Sequence, residues 1–226
     1  MDDRAMRALP VLMPEPMGDA MSEGLVWLAN VAIGFCAAPV PPDLYGKKYW
    51  NEYRRRDATE MGRLLTEARM KFVLRFVPHV HLDCFVDIGV GGGRFVSETG
   101  VHGYDINPFA LDWLTQEGRF VDATREPHDV MSFWDSLEHD VDWRLLANCR
   151  QWAFVSTPIY LSCEDCLRSK HYKPDGEHRL YFTNNGLIWF MRQHGFEMVA
   201  YDNFEVKLGR EAIGTYAFRR TKKGPE

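Results

Sequence analysis

The most informative part of the sequence reads Phe85-Val86-Asp87-Ile88-Gly89-Val90-Gly91-Gly92-Gly93-Arg94-Phe95. An apolar run containing one acid is followed by four glycines within five residues, as in a buried strand that turns sharply into a helix. Glycine adopts positive φ readily and lets a ligand approach the main chain closely. In open α/β sheets, ligands bind outside the carboxyl ends of the strands. The stretch therefore predicts a ligand site at a strand end, and a plain turn without a ligand is the alternative.

The residues after this turn repeat the arrangement of an apolar strand closed by an acid. Further strands are predicted over 101–104, 120–121, 130–134 and 152–157, and the acids that close the first four strands are Asp87, Asp105, Asp122 and Asp135. Asn107 is predicted to cap the helix after the second strand. Because the carboxyl ends of parallel strands share one sheet edge, these acids are expected to face one ligand. A last helix after Thr183 and paired strands near 198–204 and 215–219 complete the predicted sheet.

The first 80 residues are predicted to form an amino-terminal region of their own. Residues 1–24 contain several prolines and are expected to form a loose or partly docked arm. Short strands are predicted within 25–36, and apolar residues at helical spacing predict a helix over 61–76. Residues 45–56 alternate aromatic side chains with five cations. That pattern suits either a lid that grips an anion or an amphipathic linker helix.

Composition narrows the classes of partner. The 226 residues carry a formal net charge of −5, so no global field attracts nucleic acid or an anionic membrane. The sequence has no run of about 18 apolar residues, so no membrane span is predicted. The five cysteines form no regular framework, which predicts a reduced, cytoplasmic protein. A hydrophobic fraction of 46% is enough for a substantial core.

The glycine pattern does not fit a dinucleotide site, because Arg94 stands where the last glycine of that fingerprint should be. Asp87-x-Gly89-x-Gly91-x-Gly93 resembles instead the first motif of class I S-adenosylmethionine-dependent methyltransferases. The segments 103–108, 132–139 and 179–183 resemble later motifs of that family, and the last two are similar to those of the ubiquinone-biosynthesis O-methyltransferases. The resemblance covers roughly 83–220. It implies a seven-stranded, Rossmann-like α/β domain over 81–226 with helices on both faces and residues 1–80 as an amino-terminal extension.

The resemblance also implies roles for individual residues. The cofactor would be S-adenosyl-L-methionine, lying against the backbone of the three motif glycines, with Asp87 near its amino group. Asp105 would hold the ribose hydroxyls, Ile106 would touch adenine, and Asp122 would meet the adenine amine. The complete set of predicted cofactor residues is Asp87, Gly89, Gly91, Gly93, Asp105, Ile106, Asn107, Asp122 and Asp135.

Catalysis then requires a base, because an oxygen or nitrogen acceptor must lose a proton. His139 and His171 are predicted to flank the methyl group from the fourth-strand loop and from the insert over 158–179. No metal is predicted as a required part of the site. Two alternatives remain open: Asp135, Glu138 and His139 could hold a divalent ion, as in some of the similar enzymes, or Glu138 and His139 could only shape the loop.

The insert itself allows more than one interpretation. Cys163 and Cys166, with His171 and His178, offer zinc-ligand types, but their spacing is not that of a zinc finger. A substrate-facing loop is therefore favoured, with an ordinary surface loop as the alternative. The favoured function is methyl transfer to a small, polar or sugar-like acceptor. The alternatives are a nucleic-acid or nucleotide methyltransferase and a cofactor-binding protein without turnover.

Overall fold

The structure, a computed structural model, describes residues 20–22, 24–36, 38–41, 43–139 and 142–221. Its strands are β1 (Ala20–Ser22), β2 (Leu25–Leu28), β3 (Ile33–Cys36), β4 (Phe85–Ile88), β5 (His102–Tyr104), β6 (His128–Trp134), β7 (Cys149–Tyr160), β8 (Leu180–Thr183), β9 (Phe196–Asp202) and β10 (Ile213–Arg220). Its helices are α1 (Lys47–Asp57), α2 (Glu60–Leu74), α3 (Arg94–Thr99), α4 (Pro108–Gln116), α5 (Cys163–Arg168), α6 (Asn184–Gln193) and α7 (Phe204–Lys207). Among these helices, none has both the length and the apolar character needed to cross a bilayer.

The centre of the sheet is parallel, in the order β5-β4-β6-β7. Beyond β7 the sheet continues through the antiparallel strands β10 and β9. Beside β5, one parallel bridge between Gly103 and Phe120 occupies the position of the predicted third strand. The strand there is short because the chain turns at Asp122, whose carboxylate accepts a hydrogen bond from the backbone N–H of Thr124. These positions together confirm the predicted seven-stranded α/β sheet.

The central strands are buried on both faces, as parallel strands covered by helices are. Successive side chains of a strand point to opposite faces, and the core divides accordingly. One core cluster contains Val86, Met131 and Ala153 and extends to α6. The other contains Phe85, Val130 and Phe154 and extends to α2, α3 and α4. The near-continuous apolar runs in the sequence follow from this two-sided burial.

The amino-terminal strands extend the sheet near the end of β7, where the pairing partner of β7 changes. Residues 152–158 of β7 pair with β10, whereas Ile159 and Tyr160 pair with β8. The hairpin β2–β3 joins there, because β3 pairs antiparallel with β8. The short strands predicted within 25–36 are thus confirmed, and β7 is longer than predicted. The domain boundary near 80 stays a prediction, and most of the predicted arm over 1–24 lies outside the described residues.

The helix ends follow the capping residues read from the sequence. The Asn107 side chain accepts from the backbone N–H of Phe109 at 3.0 Å, and Thr183 accepts from Gly186 at 2.9 Å. Each bond satisfies a donor that the first helical turn leaves unpaired. The helix predicted over 61–76 is confirmed as α2, and the segment 45–56 is largely helical as α1. These helices pack over the carboxyl edge of the central strands.

Candidate functional site

The turn after β4 needs glycine for both its backbone and its space. The φ angles of Gly89, Gly91 and Gly93 are +75°, +58° and +84°. Residues with a Cβ atom rarely adopt such values. A Cβ atom on Gly89 would lie 2.6 Å from Cβ of Ser136. A Cβ atom on Gly93 would lie 2.5 Å from the ring of Trp113. The glycines therefore allow the turn to pack tightly on its neighbours while leaving bare backbone at the sheet edge.

A cavity of about 440 Å³ opens beside this turn, at the carboxyl ends of β4, β5 and β6. We call it the first cavity. The residues of the predicted cofactor set that line it are Asp87, Gly89, Gly91, Asp105, Ile106, Asn107 and Asp135. Gly93 is not in the lining, because it begins α3 behind the turn. The structure thus brings most of the predicted residues to one place.

Asp122 lies outside this lining. Its carboxylate accepts a bond from the Thr124 hydroxyl at 2.5 Å and pairs with Arg125 at 3.1 Å. Its side chain is 32% exposed. These local partners account for the carboxylate without a ligand, so its predicted contact with an adenine amine stays a prediction.

Two of the predicted cofactor acids that line the first cavity, Asp87 and Asp105, have raised pKa values. Asp87 is buried and accepts a 2.6 Å bond from the Ser132 hydroxyl, and burial raises the pKa of its carboxyl to about 7. Burial also raises the pKa of Asp105 to about 6, although its carboxylate accepts a 2.8 Å bond from the backbone N–H of Asn107. A ligand that brings a cation and hydroxyl donors would favour the ionised form of both groups. An amino group and a ribose, as in S-adenosylmethionine, meet that description.

Asp135 has a different environment, although it also closes a strand and lines the first cavity. Its Oδ2 atom accepts bonds from Arg69 at 2.7 Å and from Arg210 at 2.6 Å. Both arginines also bind Glu205, which is completely buried. Burial opposes ionisation, yet the two guanidinium groups hold the pKa of Asp135 well below its usual value. We call these four residues the ion network.

A second cavity of about 850 Å³ adjoins the first. The residues that line both cavities are Tyr49, Tyr53, Arg56, Asp135, His139 and Arg210. His171 lines only the second cavity, where its Nε2 bonds the backbone carbonyl of Glu211 at 3.0 Å. Burial lowers the pKa of both histidines. Of the two predicted catalytic histidines, His139 thus lies where the cavities meet and His171 lies farther along the second.

Helix α1 supplies walls that the sequence only suggested. Tyr49 and Tyr53 stack with ring centroids 4.5 Å apart. The three arginines of α1 have partners within the protein, whereas Lys47 and Lys48 are exposed. Arg54 lies 5.5 Å from the ring centroids of both Trp50 and Trp113 and donates to the Gly92 carbonyl. Arg55 and Arg56 pair with Glu52. Tyr49 and Tyr53 therefore face both cavities, together with the cation Arg56.

The insert does not assemble the zinc set considered from the sequence. Cys166 is buried in a core cluster with Leu25 and Tyr181. Within the described ranges, the group of three side chains close enough to share an ion is Glu138, His139 and His178. We call these three residues the Glu–His–His cluster. Asp135, which the sequence suggested as a partner of Glu138 and His139, belongs to the ion network instead.

Other wall residues were missed by sequence reasoning. Leu65 and Arg69 of α2, together with Leu145 of a 3₁₀ turn, line the first cavity. Their place depends on how α2 and the turn dock on the sheet. Nothing in their local sequence marks that face, since apolar spacing alone describes a core helix equally well.

Comparison with known proteins finds similar folds among solved structures. An S-adenosylmethionine-dependent methyltransferase from Thermotoga maritima, a possible histamine N-methyltransferase, aligns with a TM-score of 0.56 and 16% identity over 79% of this chain and 100% of that chain. Magnesium protoporphyrin IX methyltransferase from Synechocystis PCC 6803, with bound SAH, aligns with a TM-score of 0.54 and 12% identity over 79% and 97%. A putative sarcosine dimethylglycine methyltransferase from Galdieria sulphuraria aligns with a TM-score of 0.51 and 10% identity over 70% and 85%.

No protein-family model and no curated protein matches the chain. At identities of 10–16%, the structural likeness is evidence of a shared fold. That fold agrees with the strand order and the glycine turn described above. The described part of this chain has the class I fold of S-adenosylmethionine-dependent methyltransferases.

Proposed function

We propose that this protein is an S-adenosylmethionine-dependent methyltransferase acting on an oxygen or nitrogen of a small polar acceptor. The observation that carries the proposal is the junction of the two cavities. The first has the glycine turn, the buried Asp87 and the half-buried Asp105, which suit the cofactor. The second has the volume for a separate molecule. A methyl donor and its acceptor need such adjoining sites, because the two reacting atoms must come into contact.

The first cavity suits the cofactor in charge as well as in size. Small-molecule sites range from about 300 to 1,000 Å³, and this cavity has about 440 Å³. Asp87 would hold the amino group and Asp105 the ribose hydroxyls, with Ile106 against the adenine. The motif glycines would leave room for the methionine part. This assignment gives ligand partners to the carboxylates of Asp87 and Asp105, which both face the first cavity.

When bound, S-adenosylmethionine supplies a methyl group on a sulfonium, which is already a strong electrophile. The protein has to orient the acceptor, exclude water and accept a proton. Tyr49 and Tyr53 would form the wall that orients the acceptor. His139, at the junction, is proposed to act directly on the acceptor, with His171 contacting its more distant part.

The acceptor is proposed to be a small molecule rather than a nucleic acid. The formal net charge of −5 opposes the approach of a polyanion, and two arginines of α1 are paired with Glu52. The second cavity is mixed in charge, with Lys173 near Glu177 on one wall. The Glu138-His139 pair and the 179–183 segment resemble the ubiquinone-biosynthesis O-methyltransferases, which favours a hydroxyl oxygen as the acceptor atom.

A turnover assay tests this function. Incubation of the protein with S-adenosylmethionine and a panel of hydroxylated metabolites, nucleotides and whole-cell extract should release S-adenosylhomocysteine above the background without acceptor. Mass spectrometry of the panel would then identify the methylated product. Tight cofactor binding without release in any mixture, extract included, would instead indicate a binding protein of this fold.

Loss of the Asp105 carboxylate should weaken cofactor binding. Asp105→Ala is expected to cost about 1.5–3 kcal/mol, the range for hydrogen bonds to a charged group. Isothermal titration calorimetry with S-adenosylmethionine measures the difference. Asp112→Ala, on the exposed side of α4, is the matched control and should bind normally. Undiminished binding by a folded Asp105→Ala variant would exclude this residue from the cofactor site.

A further inference from the structure

The Glu–His–His cluster is a group of buried polar side chains that the proposed cofactor site does not explain. Glu138, His139 and His178 are 2%, 8% and 7% exposed. One potential ligand atom from each lies within 4.8 Å of the others. Burial of groups that can carry charge is costly unless they have partners. The burial of these three side chains therefore needs an interaction that offsets its cost.

Hydrogen bonds within the cluster do not provide that interaction. Oε2 of Glu138 and Nδ1 of His178 have no hydrogen-bond partner among the described residues. The rings of His139 and His178 meet edge to face, with centroids 4.6 Å apart. The three side chains thus converge without bonding one another directly. Atoms that share one bound ion at about 2.0–2.2 Å lie about 3–4 Å apart, which is the spacing that such convergence approaches.

The backbone holds the cluster together across a long separation in sequence. The Glu138 carbonyl accepts bonds from the N–H groups of Arg179 at 2.6 Å and Leu180 at 3.0 Å. These bonds hold His178, two residues before β8, against the loop after β6. The His139 ring also has a partner outside the cluster, because its Nδ1 atom lies 3.4 Å from the hydroxyl of Tyr45. A partner on one ring nitrogen commonly orients a metal-binding histidine that coordinates through the other nitrogen.

We propose that Glu138, His139 and His178 bind one divalent transition-metal ion on the wall of the second cavity. Two imidazoles and one carboxylate suit Zn²⁺ and its first-row neighbours, whereas Mg²⁺ and Ca²⁺ prefer oxygen ligands throughout. All three residues line the second cavity. Coordination positions that the protein leaves open would therefore be on the acceptor side, as in catalytic metal sites.

The ion narrows the class of acceptor. His139 also lines the first cavity, so the ion would lie near the junction. An acceptor with two neighbouring oxygens, such as a catechol or a hydroxy acid, could bind the ion and present one oxygen to the cofactor. This last step rests on the proposed function, whereas the binding of the ion does not.

Metal binding can be measured without any turnover. The chelator-treated protein should bind one Co²⁺ or Zn²⁺ per chain in calorimetry, and Mg²⁺ more weakly. Glu138→Gln, which keeps the shape of the side chain, and His178→Ala should each weaken Co²⁺ binding at least about tenfold, since loss of even an outer partner of a ligand costs roughly 10–100-fold. His171→Ala and the double variant Cys163→Ser/Cys166→Ser are the controls and should bind Co²⁺ normally.

Several outcomes would overturn the ion site. These are no binding of Co²⁺, Zn²⁺ or Mn²⁺ by the folded wild-type chain, loss of binding in the cysteine variant, or full binding by both cluster variants. If the cluster variants do not fold, X-ray absorption of the wild-type chain with Co²⁺ decides. Nitrogen and oxygen ligands are expected, and sulfur ligands would contradict the assignment. Undiminished turnover by the metal-free chain would refute only the ion's part in binding the acceptor, whereas metal binding without any turnover would refute only the proposed function.

Discussion

Replacing His139 by alanine is expected to lower turnover by roughly 10²–10⁴-fold, the contribution typical of a group that acts on the transferred proton. His139 is the predicted catalytic histidine that lines both cavities. An imidazole at the junction can act on the acceptor either as a base or as a ligand of the proposed ion. The measurement is the rate of S-adenosylhomocysteine release with the identified acceptor. Cofactor affinity should change little, because the predicted contacts with adenosine come from other residues.

Two further variants make this result interpretable. His171→Ala should have a smaller effect, since His171 lies only in the second cavity and its Nε2 is occupied by the Glu211 carbonyl. His194→Ala is the control, because His194 follows α6 and lines neither cavity. Full turnover in both His139→Ala and His171→Ala would refute their assignment. Complete loss of cofactor binding in His139→Ala would indicate a structural role.

Arg69→Met should destabilise the fold by about 3–5 kcal/mol, the cost typical of breaking a buried ion pair. Arg69 is 13% exposed, and it donates to Glu205, which is fully buried, and to Asp135. Without it, two carboxylates would share Arg210 alone in a site with little water. The Ser156 hydroxyl, 2.8 Å from Glu205, cannot replace the lost positive charge. Urea unfolding without cofactor gives the free energy of unfolding.

The matched control for this variant lies on the same helix. Arg63→Met removes surface ion pairs with Glu60 and Glu67 and should cost about 1 kcal/mol or less. If the two variants lost equal stability, the ion network would contribute no more than surface pairs do. The double variant Arg69→Met/Glu205→Gln should recover part of the loss, because one buried charge is then removed with its partner.

The central strands and the glycine turn were accessible from the sequence because they depend on local chemistry. Positive φ at Gly89 and Gly91 is a property of the residue type, and capping by Asn107 spans only two residues along the chain. Apolar runs closed by acids follow from burial of parallel strands on both faces. The class I fold was therefore predicted correctly. Asp87 and Asp105 both line the first cavity, and their contacts with the cofactor stay a prediction.

The acceptor side depends on contacts between distant parts of the chain. Arg69 donates to Asp135 across 66 positions, and Asp135 is not in the group of side chains close enough to share an ion with Glu138 and His139. His178 reaches that pair instead, because the backbone bonds from Arg179 and Leu180 to Glu138 hold the two segments together. Likewise, the last residues of β7 pair with β8, and the amino-terminal hairpin joins the sheet because its strand β3 pairs with β8. Local residue preferences determined the elements and the cofactor turn. Only tertiary packing decided which distant side chains share a buried site, because that choice depends on sheet pairing and on which charges can be neutralised inside the protein.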